Sequence, residues 1–368
     1  MRVTFVLPGI DFSGGVRVVA MYAEALARFG HQTTVVYPAP AVPPLKRKVK
    51  SLLRGQGWPV QVASPPSHLD GRVIERRVIA PHRPIVSADL ADADVVVATW
   101  WETAEWVARF DASKGAKVYF VQHDETVFSF QPVERVAATY RLGLHKITIA
   151  RWLVDLMRDR YGDRQVSLVP NAVDTRQFQS PPRGKQPKPT VGLLYGRQAF
   201  KGTDIVLRAL ALARQRLPEL SVVAFGGEPP ERPDAFPAGT SFTINPTQAE
   251  IPKLYARCDA WLFGSRSEGF GLPLLEAMAC RTPIIATPAG AAPELVAAGG
   301  GLLVRPENPE DMCRAILELC AMPNEPWRAL SARAHAIASS YSWDDAARQF
   351  ERALAATTPA GAVAAAVA

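Results

Sequence analysis

The sequence predicts an α/β protein made of two Rossmann-like halves, and three observations carry that expectation. Short apolar runs alternate with helix-like stretches, a proline-rich segment interrupts them, and the alternation then restarts. A length of 368 residues allows two domains, each with its own core.

In the first half, residues 3–7 form a β-rich run, followed by a glycine-containing loop and a helical pattern over 16–29 that Gly30 closes. Further strand-like runs fall at 33–37, 95–98, 118–121, 147–150 and 166–169, with helical stretches at 103–110 and 152–160. Residues 179–189 (Gln-Ser-Pro-Pro-Arg-Gly-Lys-Gln-Pro-Lys-Pro) read as a linker. Strands are then expected at 191–195, 221–225, 260–263 and 284–286. Helices are expected at 203–216, 250–257, 273–279, 309–320, 327–338 and 345–354. The division is therefore a first domain over 1–178, a linker over 179–189, a second domain over 190–342, a last helix over 343–356 and an alanine-rich tail over 357–368. Ligands of such sheets bind beyond the C-terminal strand ends, so both halves are expected to face a cleft.

Hydrophobic content of 48% and charged content of 21% suit an ordinary water-soluble globular chain. Cys258, Cys280, Cys313 and Cys320 form no CxxC pair and no zinc spacing, so reduced, buried thiols are expected. Pro8 and Gly9 interrupt the apolar N-terminus, and no run approaches the roughly 18 apolar residues of a spanning helix, which points to the cytoplasm. The net charge of +7 has a local source: Lys46, Arg47, Lys48, Lys50 and Arg54 surround Leu45, Val49, Leu52 and Leu53 at helical spacing. Such a basic amphipathic helix over 45–54 lies on an anionic membrane surface or packs its apolar stripe on its own domain; both readings stand. Nucleic acid is disfavoured, because no aromatic interleaving or binding motif accompanies the charge.

Residues 268–276 (Glu-Gly-Phe-Gly-Leu-Pro-Leu-Leu-Glu) are the most informative segment. Pro273 suits the first turn of a helix, which places the backbone donors of Phe270, Gly271 and Leu272 at an anion-favouring N-terminus. Glycines at 269 and 271 let a ligand approach the main chain. Glu268 would stand before the helix and Glu276 about one turn inside it, both within reach of hydroxyls of a nucleotide sugar. The plain alternative is a loop glutamate and a helical glutamate meeting solvent. Glu-x7-Glu around Gly-Phe-Gly-Leu-Pro closely resembles the signature of glycosyltransferase family 4, retaining enzymes of the GT-B fold. The resemblance implies that Glu268 lies near the donor sugar and Glu276 binds the nucleotide ribose. It also implies that the last helix returns to the first domain, an ordinary final helix of the second domain being the alternative.

After the first strand of the second half comes Gly196-Arg197-Gln198-Ala199-Phe200-Lys201-Gly202. A planar guanidinium and a point-charge ammonium at a strand end suit a diphosphate. In the family a matching pair contacts the donor diphosphate without a divalent metal, so no metal or other cofactor is expected. Gly14-Gly15 gives the first half an anion-accepting turn, which in the family closes over the donor phosphate; a bare strand–helix turn is the alternative. His123 ends an apolar strand where relatives carry a histidine close to the donor sugar, and Asp124 and Glu125 are candidates for acceptor hydroxyls. Pro170-Asn171-Ala172-Val173-Asp174 resembles the family's junction segment, with Ala172 in place of the commoner glycine.

The expected function is metal-independent, retaining transfer of a sugar from a nucleotide-diphosphate donor to a saccharide or glycolipid hydroxyl, in bacterial cell-surface polysaccharide synthesis. An epimerase of the same fold and a non-catalytic sugar-nucleotide-binding scaffold are the alternatives.

Overall fold

The computed structural model describes residues 1–41, 52 and 65–358. The basic segment 45–54, Leu52 apart, and the tail beyond 358 lie outside the described residues. Contacts divide the chain into two compact units. The first comprises Met1–Ile149, Leu153–Val169 and Ala347–Ala368, the second Ala150–Trp152 and Pro170–Ala346. The change of unit thus falls at Val169/Pro170, ahead of the 179–189 segment. That segment packs on the second unit: the Gln186 amide donates to Asp259 Oδ1 at 2.7 Å and the Lys185 amide to Asn324 Oδ1 at 2.9 Å.

Among the described residues the first unit holds seven parallel strands. They are β1 (Arg2–Val6), β2 (Gln32–Pro38), β3 (Glu75–Ile79), β4 (Val95–Ala98), β5 (Ala116–Val121), β6 (His145–Thr148) and β7 (Val166–Leu168). Their order is β3-β2-β1-β4-β5-β6-β7. The central strand β4, Val-Val-Val-Ala, is fully buried, as a sheet covered on both faces demands. Helices α1 (Gly14–Arg28), α2 (Trp101–Ala108), α3 (Val133–Thr139) and α4 (Arg151–Tyr161) connect them. The first helix starts two residues earlier than its apolar pattern, so Gly14 and Gly15 are its first residues.

The second unit repeats the plan with β8 (Thr190–Tyr195), β9 (Ser221–Gly226), β10 (Ser241–Ile244), β11 (Ala260–Phe263), β12 (Ile284–Ala286) and β13 (Gly301–Leu303), ordered β10-β9-β8-β11-β12-β13 and all parallel. Its helices are α5 (Thr203–Arg216), α6 (Ile251–Ala256), α7 (Leu272–Ala279), α8 (Ala292–Ala297), α9 (Pro309–Ala321) and α10 (Asn324–Ser339). Leu193, Val206, Leu210, Leu262, Ile316 and Trp327 lie in its core. The strands that the apolar pattern does not announce, β3, β10 and β13, are all at sheet edges. Edge strands bury less and carry more polar residues, as the Glu-Arg-Arg at the start of β3 illustrates. All four cysteines are buried free thiols, and burial pushes Cys280 and Cys320 up to about 12, so both stay protonated near neutrality.

The last helix, α11 (Trp343–Thr357), belongs to the first unit from Ala347 onward. Phe350 stacks on Tyr22 at 4.4 Å and meets Phe120 at 5.1 Å, fully buried. Glu351 pairs with His31 Nε2 at 2.6 Å. These contacts anchor the helix by an apolar face with one hydrogen bond beside it.

Candidate active site

In each sheet the strand order reverses once, between β1 and β4 and between β8 and β11. Loops leaving the C-terminal ends at such a switch point are where doubly wound sheets bind ligands. In the second unit those loops carry Gly196–Gly202 and the start of 268–276, the two segments singled out in the sequence.

The loops touch through glycine. Gly202 adopts φ +59°, and a Cβ there would sit 1.8 Å from the Gly264 carbonyl oxygen. Only a residue without a side chain permits that approach, and glycine takes that dihedral without strain. Before it, residues Ala199–Lys201 make a single 3₁₀ turn. Thr203 braces the start of the loop, its hydroxyl donating to the Gly196 carbonyl at 2.8 Å and accepting from the Gly196 amide at 3.3 Å.

This geometry brings Lys201 Nζ to 2.7 Å from Glu268 Oε1, and Ser265 Oγ donates to the same oxygen at 3.0 Å. Glu268 is largely enclosed and Lys201 about one-third exposed. A cavity of about 20 Å³, lined among others by Lys201, Ser265, Glu268 and Pro273, lies beside the pair.

Arg197 is not part of this group. Its guanidinium turns to the loop after β9, with Nε 3.0 Å from Glu228 and 3.7 Å from Glu231 and Nη2 donating to the Pro229 carbonyl at 2.8 Å. Spacing placed Arg197 and Lys201 at one strand end, but the 3₁₀ turn sends the two side chains different ways. Glu276 lies in α7, buried, and accepts a hydrogen bond from Tyr255 Oη at 2.9 Å. Gly271 caps α7 at φ +89°. The Gly269 carbonyl accepts from Trp152 Nε1 at 2.8 Å, and buried Phe270 lies edge-on to Tyr341 at 6.1 Å. Leu272 opens the helix, with Pro273 next to it.

In the first unit, Gly14 and Gly15 begin α1 at the end of the β1 loop, and Gln122 Nε2 donates to the Gly15 carbonyl at 3.4 Å. His123 follows β5. Its Nδ1 donates to the Asp124 carbonyl at 2.9 Å, and its ring lies 4.9 Å from that of Phe128.

Asp124 and Glu125 are not placed as acceptor-binding groups. Asp124 is buried and caps the turn that follows, accepting from the Thr126 amide at 3.1 Å and hydroxyl at 2.6 Å. Glu125 is 1% exposed, and its Oε2 accepts from the Trp101 amide at 2.8 Å and Tyr119 Oη at 3.1 Å. The polar pair that reads as a surface site in sequence is a bracket between β5, α2 and the following turn.

Burial raises the Glu125 pKa well above the usual carboxylate range. A raised folded-state pKa gives stability that is full below the unfolded value and is lost as pH rises through the folded one. The stability of the wild type relative to Glu125→Gln should therefore fall as pH rises from about 4.5, near the unfolded carboxyl value. Denaturant titrations of both proteins between pH 4 and 8 measure this; a constant difference would contradict it.

Among the described residues no cluster of three or more His, Cys, Asp or Glu side chains is arranged to hold a metal ion, and no helix is long and apolar enough to cross a membrane.

Two parallel sheets of seven and six strands that share one plan, with Lys201 and Glu268 meeting at the switch point of the second, describe a doubly wound two-unit fold. The structure of HepE from Anabaena in complex with UDP matches with a TM-score of 0.73 and 18% identity, over 97% of this chain and 100% of that one. Sucrose-phosphate synthase from Thermosynechococcus elongatus matches with a TM-score of 0.68 and 19% identity, over 96% and 98%. The fold is GT-B. The sequence models of Glycosyltransferase Family 4 and of Glycosyl transferases group 1 match residues 12–177 and 189–322, and the chain belongs to glycosyltransferase family 4. The D-inositol 3-phosphate glycosyltransferase of Rhodococcus opacus (strain B4) is 32% identical over 230 residues, 58% of this chain and 49% of that protein. The O-antigen chain mannosyltransferase B of Escherichia coli is 34% identical over 101 residues, 27% of this chain and 26% of that protein. The chain spans about half the length of the first of these curated relatives.

Proposed function

We propose that the protein is a retaining glycosyltransferase that moves a sugar from a nucleotide-diphosphate donor to a hydroxyl of a saccharide or glycolipid acceptor, without a metal ion. The observation that carries this reading is the Lys201–Glu268 pair at the β8/β11 switch point, 2.7 Å apart and beside the start of α7. A donor diphosphate gains negative charge as its bond to the anomeric carbon breaks. A preorganised ammonium stabilises that charge more in the transition state than in the ground state. Lys201 fills this role, and the backbone N–H groups of Phe270, Gly271 and Leu272 add partial positive charge. Glu268 orients the sugar hydroxyls, Glu276 holds the ribose, and Gly14 and Gly15 close over the phosphate.

The leaving diphosphate oxygen takes the acceptor proton as the new bond forms on the face the diphosphate leaves, so the anomeric configuration is kept. His123 assists at the sugar, and the first unit takes the acceptor. Arg197 reaches the diphosphate only by exchanging Glu228 and the Pro229 carbonyl for phosphate oxygens. Arg197→Ala should for that reason cost less turnover than Lys201→Ala, which steady-state assays of the two variants compare directly. The product is a bacterial cell-surface polysaccharide or glycolipid.

The test is turnover of UDP-, GDP-, ADP- and dTDP-sugars in excess EDTA with a panel of saccharide acceptors, the product's anomeric configuration being read by NMR. Metal-free transfer with the donor's configuration supports the reading; an inverted product or a metal requirement overturns it. Glu276→Gln keeps an acceptor for Tyr255 and should weaken nucleotide binding about tenfold, the scale of a hydrogen bond to a charged group. Calorimetry that finds unchanged affinity would remove the ribose role.

A further inference from the structure

Arg266 lies two residues before Glu268 and was not singled out by composition. Its fork is bidentate twice over. Nη1 and Nη2 meet the two Asp204 oxygens at 2.8 and 2.9 Å, and Nε and Nη2 meet the two Glu307 oxygens at 2.6 and 2.9 Å. Nη1 also donates to the Ala199 carbonyl, and the Arg266 amide donates to the Phe200 carbonyl at 2.8 Å. One residue therefore ties together the Lys201 loop, the first turn of α5, its own Glu268 loop and the turn between β13 and α9. Glu307 is held at φ +53°, a left-handed conformation that a non-glycine residue keeps only where its surroundings fix it.

We infer that Arg266 is a positioning residue, whose double fork holds the Lys201 and Glu268 loops in register so that ammonium and carboxylate are presented together to the donor. An isolated surface ion pair would carry little weight. Here two planar carboxylates are matched to one planar guanidinium, a geometry that an ammonium cannot reproduce. The inference rests on the donor-site reading above and deepens it.

The test uses the full chain with Arg266→Lys, which keeps the charge and loses the fork. Hydrogen exchange in the absence of nucleotide should speed up at least tenfold in residues 199–204 and 264–268 while the rest of the second unit keeps its protection. Binding of UDP, GDP, ADP and dTDP is then measured for the wild type, Arg266→Lys, Lys201→Ala and the double variant. Arg266→Lys should weaken the preferred diphosphate at least tenfold, with no further loss when added to Lys201→Ala, because it acts through that lysine. Losses that multiply, or wild-type exchange rates in Arg266→Lys, overturn the positioning role. A wild type that binds none of the four diphosphates overturns the donor-site reading instead, and the exchange rates still decide whether Arg266 holds the loops.

Discussion

Replacing Lys201 by Ala is expected to lower turnover by about 10²–10³, the scale on which one preorganised electrostatic contact contributes to a transition state. Two features of the site set the size of the effect. The ammonium sits 2.7 Å from a largely enclosed carboxylate, so its position is fixed before the donor arrives. Its removal leaves the Glu268 carboxylate without its ammonium partner, hydrogen-bonded to the Ser265 hydroxyl and close to where negative charge develops in the proposed reaction. Neighbouring Arg197 offers little compensation, since it is held by Glu228 and the Pro229 carbonyl. Steady-state rates of the folded variant, with its melting temperature as a control, measure the effect. Turnover within a factor of a few of wild type would remove Lys201 from the mechanism.

Gly202→Ala should be the most damaging small substitution. The added methyl would sit 1.8 Å from the Gly264 carbonyl oxygen, and the backbone is at φ +59°. Left-handed strain costs about 1–2 kcal/mol for a residue bearing a Cβ. Forced separation of packed groups adds about 1–3 kcal/mol. A loss near 3 kcal/mol is therefore expected by denaturant unfolding. Turnover should drop as well, because relief of the clash separates the loops that carry Lys201 and Ser265. A variant as stable and active as the wild type would mean that the two loops are not in the contact described.

The sequence made some of this legible and hid the rest for physical reasons. Strands β4 and β11 and helix α5 follow directly from continuous apolar runs or helical periodicity, since burial on both sheet faces writes itself into composition. The edge strands β3, β10 and β13 escaped because burial hardly constrains them. Within the site, Gly-Phe-Gly-Leu-Pro announces a helix start and a close-approach loop, since both depend on residue types that few other structures require. Asp124-Glu125 shows the opposite case. Two adjacent carboxylates after a strand look like a solvent-facing pair, and only the tertiary structure supplies the Trp101 amide and Tyr119 hydroxyl that draw Glu125 inside. The partners of Arg197 and Arg266 are hidden for a related reason. Arginine partners lie far along the chain, 31 residues away for Glu228 and 62 and 41 for Asp204 and Glu307, so local spacing carries no trace of them.

The central claim is that the second unit carries a metal-free site for a nucleotide-diphosphate sugar built on Lys201 and Glu268. Calorimetric titration of the wild type and Lys201→Ala with UDP-, GDP-, ADP- and dTDP-sugars in EDTA tests it most directly. The account predicts that one nucleotide class binds the wild type and that Lys201→Ala weakens it at least tenfold. Absence of binding by all four, or equal affinity in the two proteins, would contradict it.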